Sequence, residues 1–147
     1  LILEYYMLRF GAYPIRDHPS DSGISIYYNP EEEVSITIMP GENAVLPTGV
    51  KFGIPHGYML QIMNKSSLPS TRNLIIGANV VDAGYDKEIF VDLHNTGNTP
   101  QTIRPRDIIA QVVLVPVVHF RAHEIGDDSI YDERISIKSP YDEEEEV

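Results

Sequence analysis

Short runs of alternating apolar and polar residues, ended about every 8 to 12 residues by Gly, Pro or Asn, restrict this chain to a small set of folds. Ile24, Ile26 and Tyr28 alternate with Ser25 and Tyr27. Val34, Ile36 and Ile38 alternate with Ser35 and Thr37, and Ile89, Val91 and Leu93 alternate with Glu88, Phe90, Asp92 and His94. A period of two sends one set to the core face of a pleated strand and the other to the opposite face. Pro40-Gly41, Pro47-Thr48-Gly49, Pro55-His56-Gly57, Asn95-Thr96-Gly97-Asn98 and Pro105 mark the turns, since Gly and Asn supply positive φ and Pro cannot continue an interior ladder. Many short strands of this kind imply an all-β barrel or sandwich. Residues 74–81 and 108–118 are more continuously apolar and read as strands buried on both faces. The one helix expected lies near residues 66–71, with Asn64 and Ser66 as candidate caps and Pro69 limiting its length.

The 147 residues suffice for one domain with one sizeable core. We expect a single barrel over residues 1–126 and an acidic C-terminal arm or tail over 127–147. No apolar run approaches the roughly 20 residues of a membrane span, so no membrane partner is expected. Residues 1–10 are apolar but lack the basic start and small-residue cleavage site of a secretory signal. There are no cysteines, which removes disulfides, zinc-thiolate sites and cysteine nucleophiles and fits an intracellular, reducing compartment, cytoplasmic or nuclear. A net charge of -11 argues against nucleic acid, which needs clustered Lys and Arg. The run Asp142-Glu143-Glu144-Glu145-Glu146 reads as a solvated tail in preference to a docking motif for a protein partner. His119 and His123 would stand roughly 13 Å apart on a strand, so they read as surface histidines and not as metal ligands.

Four short motifs carry the chemistry. Asp21-Ser22-Gly23-Ile24-Ser25-Ile26 precedes Lys65-Ser66-Ser67-Leu68, then Gly77-Ala78-Asn79-Val80-Val81-Asp82-Ala83-Gly84-Tyr85, then Arg106-Asp107-Ile108-Ile109-Ala110-Gln111. Asp82-Ala83-Gly84-Tyr85 alone is also an ordinary turn after a strand; the other motifs at matching distances favour a site. In order and spacing the set resembles the trimeric dUTPase family. Leu46-Pro47-Thr48-Gly49-Val50-Lys51-Phe52-Gly53 resembles that family's connecting strands and fixes the alignment.

The resemblance implies a dUTPase-like β-barrel or β-clip, a distorted jelly roll, assembled as a homotrimer with sites between subunits. It implies hydrolysis of dUTP to dUMP and pyrophosphate, assisted by Mg²⁺ bound through the triphosphate. In that reading Asp82 activates the attacking water, and Gln111 holds the water or a phosphate oxygen. Ser66 stabilises charge around the α-phosphate, with Lys65 and Ser67 beside it. The backbone of the hairpin containing Gly77 and Asn79 reads uracil, Tyr85 packs under the deoxyribose and excludes a 2′-hydroxyl, and Arg134 aligns with the arginine of the family's C-terminal arm.

The departures are specific. Ser25 stands where the family has an aspartate that helps hold hydrated Mg²⁺, and serine is a weak, neutral ligand. Lys65 keeps the charge of the family's arginine but not its fork. Asn79 replaces a glycine, a mild change because Asn tolerates positive φ. Ile108 replaces an arginine, and Asp86-Lys87 replaces Arg-Gly. Around Arg134 every glycine of the arm is missing, and a β-branched stretch cannot build the same phosphate nest. These losses keep a second reading open: a catalytically impaired protein of the same fold, viral or phage-derived, with a structural or interaction role.

Overall fold

The strand periodicity is realised in a computed structural model that describes residues 1–128. Eleven strands and one short helix follow in chain order: β1 (Glu4–Met7), β2 (Ile24–Tyr27), β3 (Ile36–Ile38), β4 (Asn43–Pro47), β5 (Val50–Gly53), β6 (Tyr58–Met63), α1 (Ser67–Arg72), β7 (Leu74–Ile76), β8 (Val80–Val81), β9 (Phe90–Asn95), β10 (Gln101–Ile103) and β11 (Ile108–Pro116). They form sheets ordered β2-β11-β6-β8 and β4-β9-β7, with two-stranded ribbons β1-β5 and β10-β3. All pairings are antiparallel, so the expected all-β architecture stands.

The predicted alternation maps onto the core. In β9, Val91, Leu93 and Asn95 point inward while Phe90 is exposed and Asp92 and His94 are half-buried. Leu60, Leu74, Val91, Leu93, Ile103 and Ile109 are fully buried, each such side chain contributing about 1.5–3 kcal/mol. Asn95 is the polar member. Its amide nitrogen donates to the carbonyls of Ile38 and Thr99 and its oxygen accepts from the Gly97 amide, which offsets the cost of burying it. Gly49 adopts φ +70, and a methyl there would press on the Asn29 amide 2.7 Å away; only glycine meets both conditions at this turn.

Four details differ from the sequence reading. Residues 74–81 split into β7 and β8, and Ile75 and Val80 are exposed, because each of these short strands lies at the edge of its sheet. In residues 108–118 the core takes Ile109, Ala110 and Val112, while Val118 is 83% exposed. The helix forms, but neither candidate cap acts. Ser66 occupies the N-cap position in a helical conformation with no side-chain cap bond, and the Asn64 side-chain oxygen Oδ1 accepts from the Ile76 amide instead. Pro69 falls in the first turn, where its missing N–H costs nothing, and the helix ends at Asn73 in the left-handed region. Asn79 does not take positive φ: Asn73 and Arg106 are the described non-glycine residues that do.

Candidate functional site

Lys65, Ser66 and Gln111 line one cavity and Asp82 and Tyr85 another, while Ser67 and Asn79 line neither. The first, of about 490 Å³, is lined by Asp17, His18, Asp21, Ser22, Lys65, Ser66 and Gln111. Three distant stretches of sequence meet there because β11 lies between β2 and β6. Gln111 is paired with Ser25 on one side and Met63 on the other. Its side-chain nitrogen donates to the Asn64 carbonyl at 2.9 Å, tying the end of β6 to the strand that carries it. Lys65 and Ser66 then occupy the turn into α1. Because Ser66 does not cap the helix with its side chain, its hydroxyl is not committed to the backbone of α1. Ser67 opens the helix, and its carbonyl accepts from the Thr71 hydroxyl.

Sequence reasoning missed Asp17. A β-bridge pairs Ile15 with Ser25, and two residues further on Asp17 is brought over the Ser25 hydroxyl. Ser25 Oγ donates to Asp17 Oδ2 at 3.0 Å, and Lys65 Nζ donates to the same oxygen at 2.7 Å. The Lys65 ammonium, then the Ser25 hydroxyl, hold the Asp17 carboxyl below the usual carboxylate range. The available signal was a carboxylate four residues before Asp21; the bridge that makes it count is a long-range pairing. Asp21 is occupied differently, its Oδ2 accepting from the His18 amide to close a turn.

The second cavity, of about 220 Å³, is lined by Ile62, Ala78, Val80, Val81, Asp82, Tyr85, Ile89 and Phe90. It shares no lining residue with the first. Its floor is the β8 edge, held to β6 by the Leu60–Val81 and Gln61–Val80 register and by the Ile62 amide on the Asn79 carbonyl at 2.7 Å. Asp82 is exposed at its rim, and its carbonyl accepts from the Tyr85 amide, closing the turn. The Tyr85 hydroxyl donates to the Glu88 carbonyl at 2.6 Å, which sets the ring across the opening. Gly77 has a packing role: a methyl there would collide with the Asp92 carboxylate and the His94 ring, which are hydrogen-bonded to each other. Gly77 lines neither cavity, and Arg134 lies outside the described residues.

Neither cavity offers a protein cage for a metal. Among the described residues no group of three His, Cys, Asp or Glu side chains could hold an ion. The first cavity instead presents two carboxylates, Asp17 and Asp21, two serines, Ser22 and Ser66, and the side chains of His18, Lys65 and Gln111. His119 is exposed, its ring stacked on His56 at 5.4 Å.

Taken together, the fold and these two openings define a class of protein: an antiparallel β-barrel with two separate cavities lined by residues from distant parts of the chain. Within that class the chain belongs to the dUTPase family, whose family model matches residues 12–135. The chain is 37% identical over 110 residues to a deoxyuridine 5′-triphosphate nucleotidohydrolase of Chlamydia pneumoniae, covering 74% of each chain. It is 33% identical over 117 residues to the protein of that name from Gloeobacter violaceus, covering 78% of each. Its fold matches the dUTPase of phage phi11 of S. aureus with a TM-score of 0.77 at 22% identity, over 86% of this chain and 98% of that one. A Staphylococcus bacteriophage 80alpha dUTPase with dUpNHpp matches at 0.79 and 22% identity, over 90% and 93%.

Proposed function

We propose that this protein is a dUTP diphosphatase, converting dUTP and water to dUMP and pyrophosphate. The observation that carries this reading is the convergence of Lys65, Ser66 and Gln111, from separate parts of the chain, on one cavity, with Asp82 and Tyr85 together on another. In a homotrimer the first cavity of one subunit faces the second cavity of its neighbour, and the nucleotide lies between them. Asp82 takes a proton from water as that water attacks the α-phosphorus in line. Gln111 orients the water. The Ser66 hydroxyl donates to the oxygens around the α-phosphorus, and Lys65 to the phosphates, where charge builds as pyrophosphate departs. Tyr85 packs against the sugar, and the backbone beside Gly77 and Asn79 meets the base. Mg²⁺ bound through the triphosphate would supply charge neutralisation of the phosphates. Ser67, beside Ser66, and Arg134 are further substrate-binding residues.

Pyrophosphate release from dUTP with Mg²⁺ tests this. We expect turnover in the parent and a loss of at least about a hundredfold in Asp82→Asn. A parent no faster than Asp82→Asn overturns the reading.

A further inference from the structure

We propose that Asp17 supplies the carboxylate that Ser25 lacks, holding Lys65 while the site is empty and facing the phosphate-bound cation when it is full. This deepens the proposed function and rests on it. Ser25 is buried at 1%, at the position where a carboxylate would face the phosphates. Its hydroxyl is spent on Asp17 Oδ2, so it acts as a positioning group for a carboxylate borne by the bend that follows the Ile15 bridge. Asp17 is the better placed of the two carboxylates lining the cavity. Asp21 closes its own turn, whereas Asp17 joins the buried serine to the lysine at the phosphate position. The Lys65–Asp17 contact is close and partly shielded. An arriving triphosphate competes for Lys65 with more negative charge than Asp17 offers. Released from Lys65, the Asp17 carboxylate remains tethered by Ser25 at the cavity wall, oriented for a cation that keeps its own waters.

One substitution has two opposite effects. In Asp17→Asn, Lys65 loses its resting partner, so binding without Mg²⁺ tightens, by about threefold for a pair of this exposure. The cation loses its carboxylate, so the gain in affinity on adding Mg²⁺ shrinks by about tenfold. Asp17→Glu keeps the charge and is expected to retain most of the Mg²⁺ gain. The experiment is calorimetry of the full chain with a non-hydrolysable dUTP analogue, in EDTA and in Mg²⁺. If Asp17→Asn shows the same Mg²⁺ gain as the parent, including the case in which both affinities fall together, Asp17 is structural and the inference is overturned. A parent that does not bind the analogue at all overturns the proposed function and this inference with it.

Discussion

At the scale of single residues, Asn79 and Arg106 behave in opposite ways, and neither outcome is legible in the sequence. Asparagine tolerates positive φ, yet Asn79 keeps an ordinary backbone, and its carbonyl accepts from the Ile62 amide. Arg106 does adopt φ 69, a conformation that costs any side chain with a Cβ. The turn it belongs to demands this: the Arg106 amide donates to the Tyr28 carbonyl, and Asp107 Oδ2 accepts from the Arg104 amide at 2.8 Å. Arg106 is fixed from outside by an ion pair with Glu33, and that guanidinium holds the Glu33 carboxyl below its ordinary range. Arg106→Gly and Arg106→Ala both lose the pair, but only glycine relaxes the backbone. We therefore expect Arg106→Gly to unfold at a clearly higher urea concentration than Arg106→Ala. Equal midpoints would mean that the turn stores no strain. The roles proposed for Asp82, Ser66, Tyr85 and Gln111 came from the motifs' resemblance to the dUTPase family, because a motif is carried by residue type and spacing along the chain. Asp17 could not be found in that way, because its role depends on a pairing between Ile15 and Ser25.

Among the elements, strands with strict alternation were the most legible, as β9 illustrates, because burial of one face imposes the period; β2 departs from it, since Ser25 is buried along with Ile26. β1 was not read: its Tyr5 and Tyr6 are exposed, and it exists through its pairing with β5. The residues just beyond β1 bear on the second cavity. Arg9 Nη1 and Nη2 donate to Glu88 Oε1 and Oε2 at 2.9 and 2.5 Å, and Arg9 also donates to the Asn29 carbonyl. Glu88 Oε2 accepts from the Gly49 amide, and the Glu88 carbonyl accepts from the Tyr85 hydroxyl. Arg9, which precedes the family match, thus clamps the loop that sets the Tyr85 ring. Arg9→Ala removes a two-point, partly buried pair, with an expected stability loss of about 2 kcal/mol. It should also raise the KM for dUTP and narrow the preference for dUTP over UTP, with a smaller change in kcat, since the sugar contact is loosened and the water-activating group is not. Steady-state kinetics with both nucleotides, beside a urea titration, separates the effects; an unchanged dUTP to UTP ratio would confine Arg9 to stability.

For the whole molecule, the all-β class was legible from punctuation and period, while a site shared between subunits was expected from the family resemblance alone, since spacing along a chain does not say which residues share a cavity. The described chain exposes Ile75, Val80, Val118 and Phe120 and keeps Ser66 and Asp82 in cavities with no residue in common. If neighbouring copies join the two halves, catalysis belongs to the assembly, and inactive variants should complement each other. Ser66→Ala removes the phosphate donor and keeps Asp82; Asp82→Asn does the reverse. Each alone gives trimers in which every site is defective. Unfolding the two together in equal amounts and refolding them gives mixed trimers. A site is then intact when an Asp82→Asn subunit lends Ser66 and its neighbour, a Ser66→Ala subunit, lends Asp82. Random assembly makes roughly a quarter of the sites intact, so pyrophosphate release should recover to about a quarter of the parent rate. A site built within one subunit would leave the mixture no faster than the mean of the two variants, because no exchange of partners could repair it.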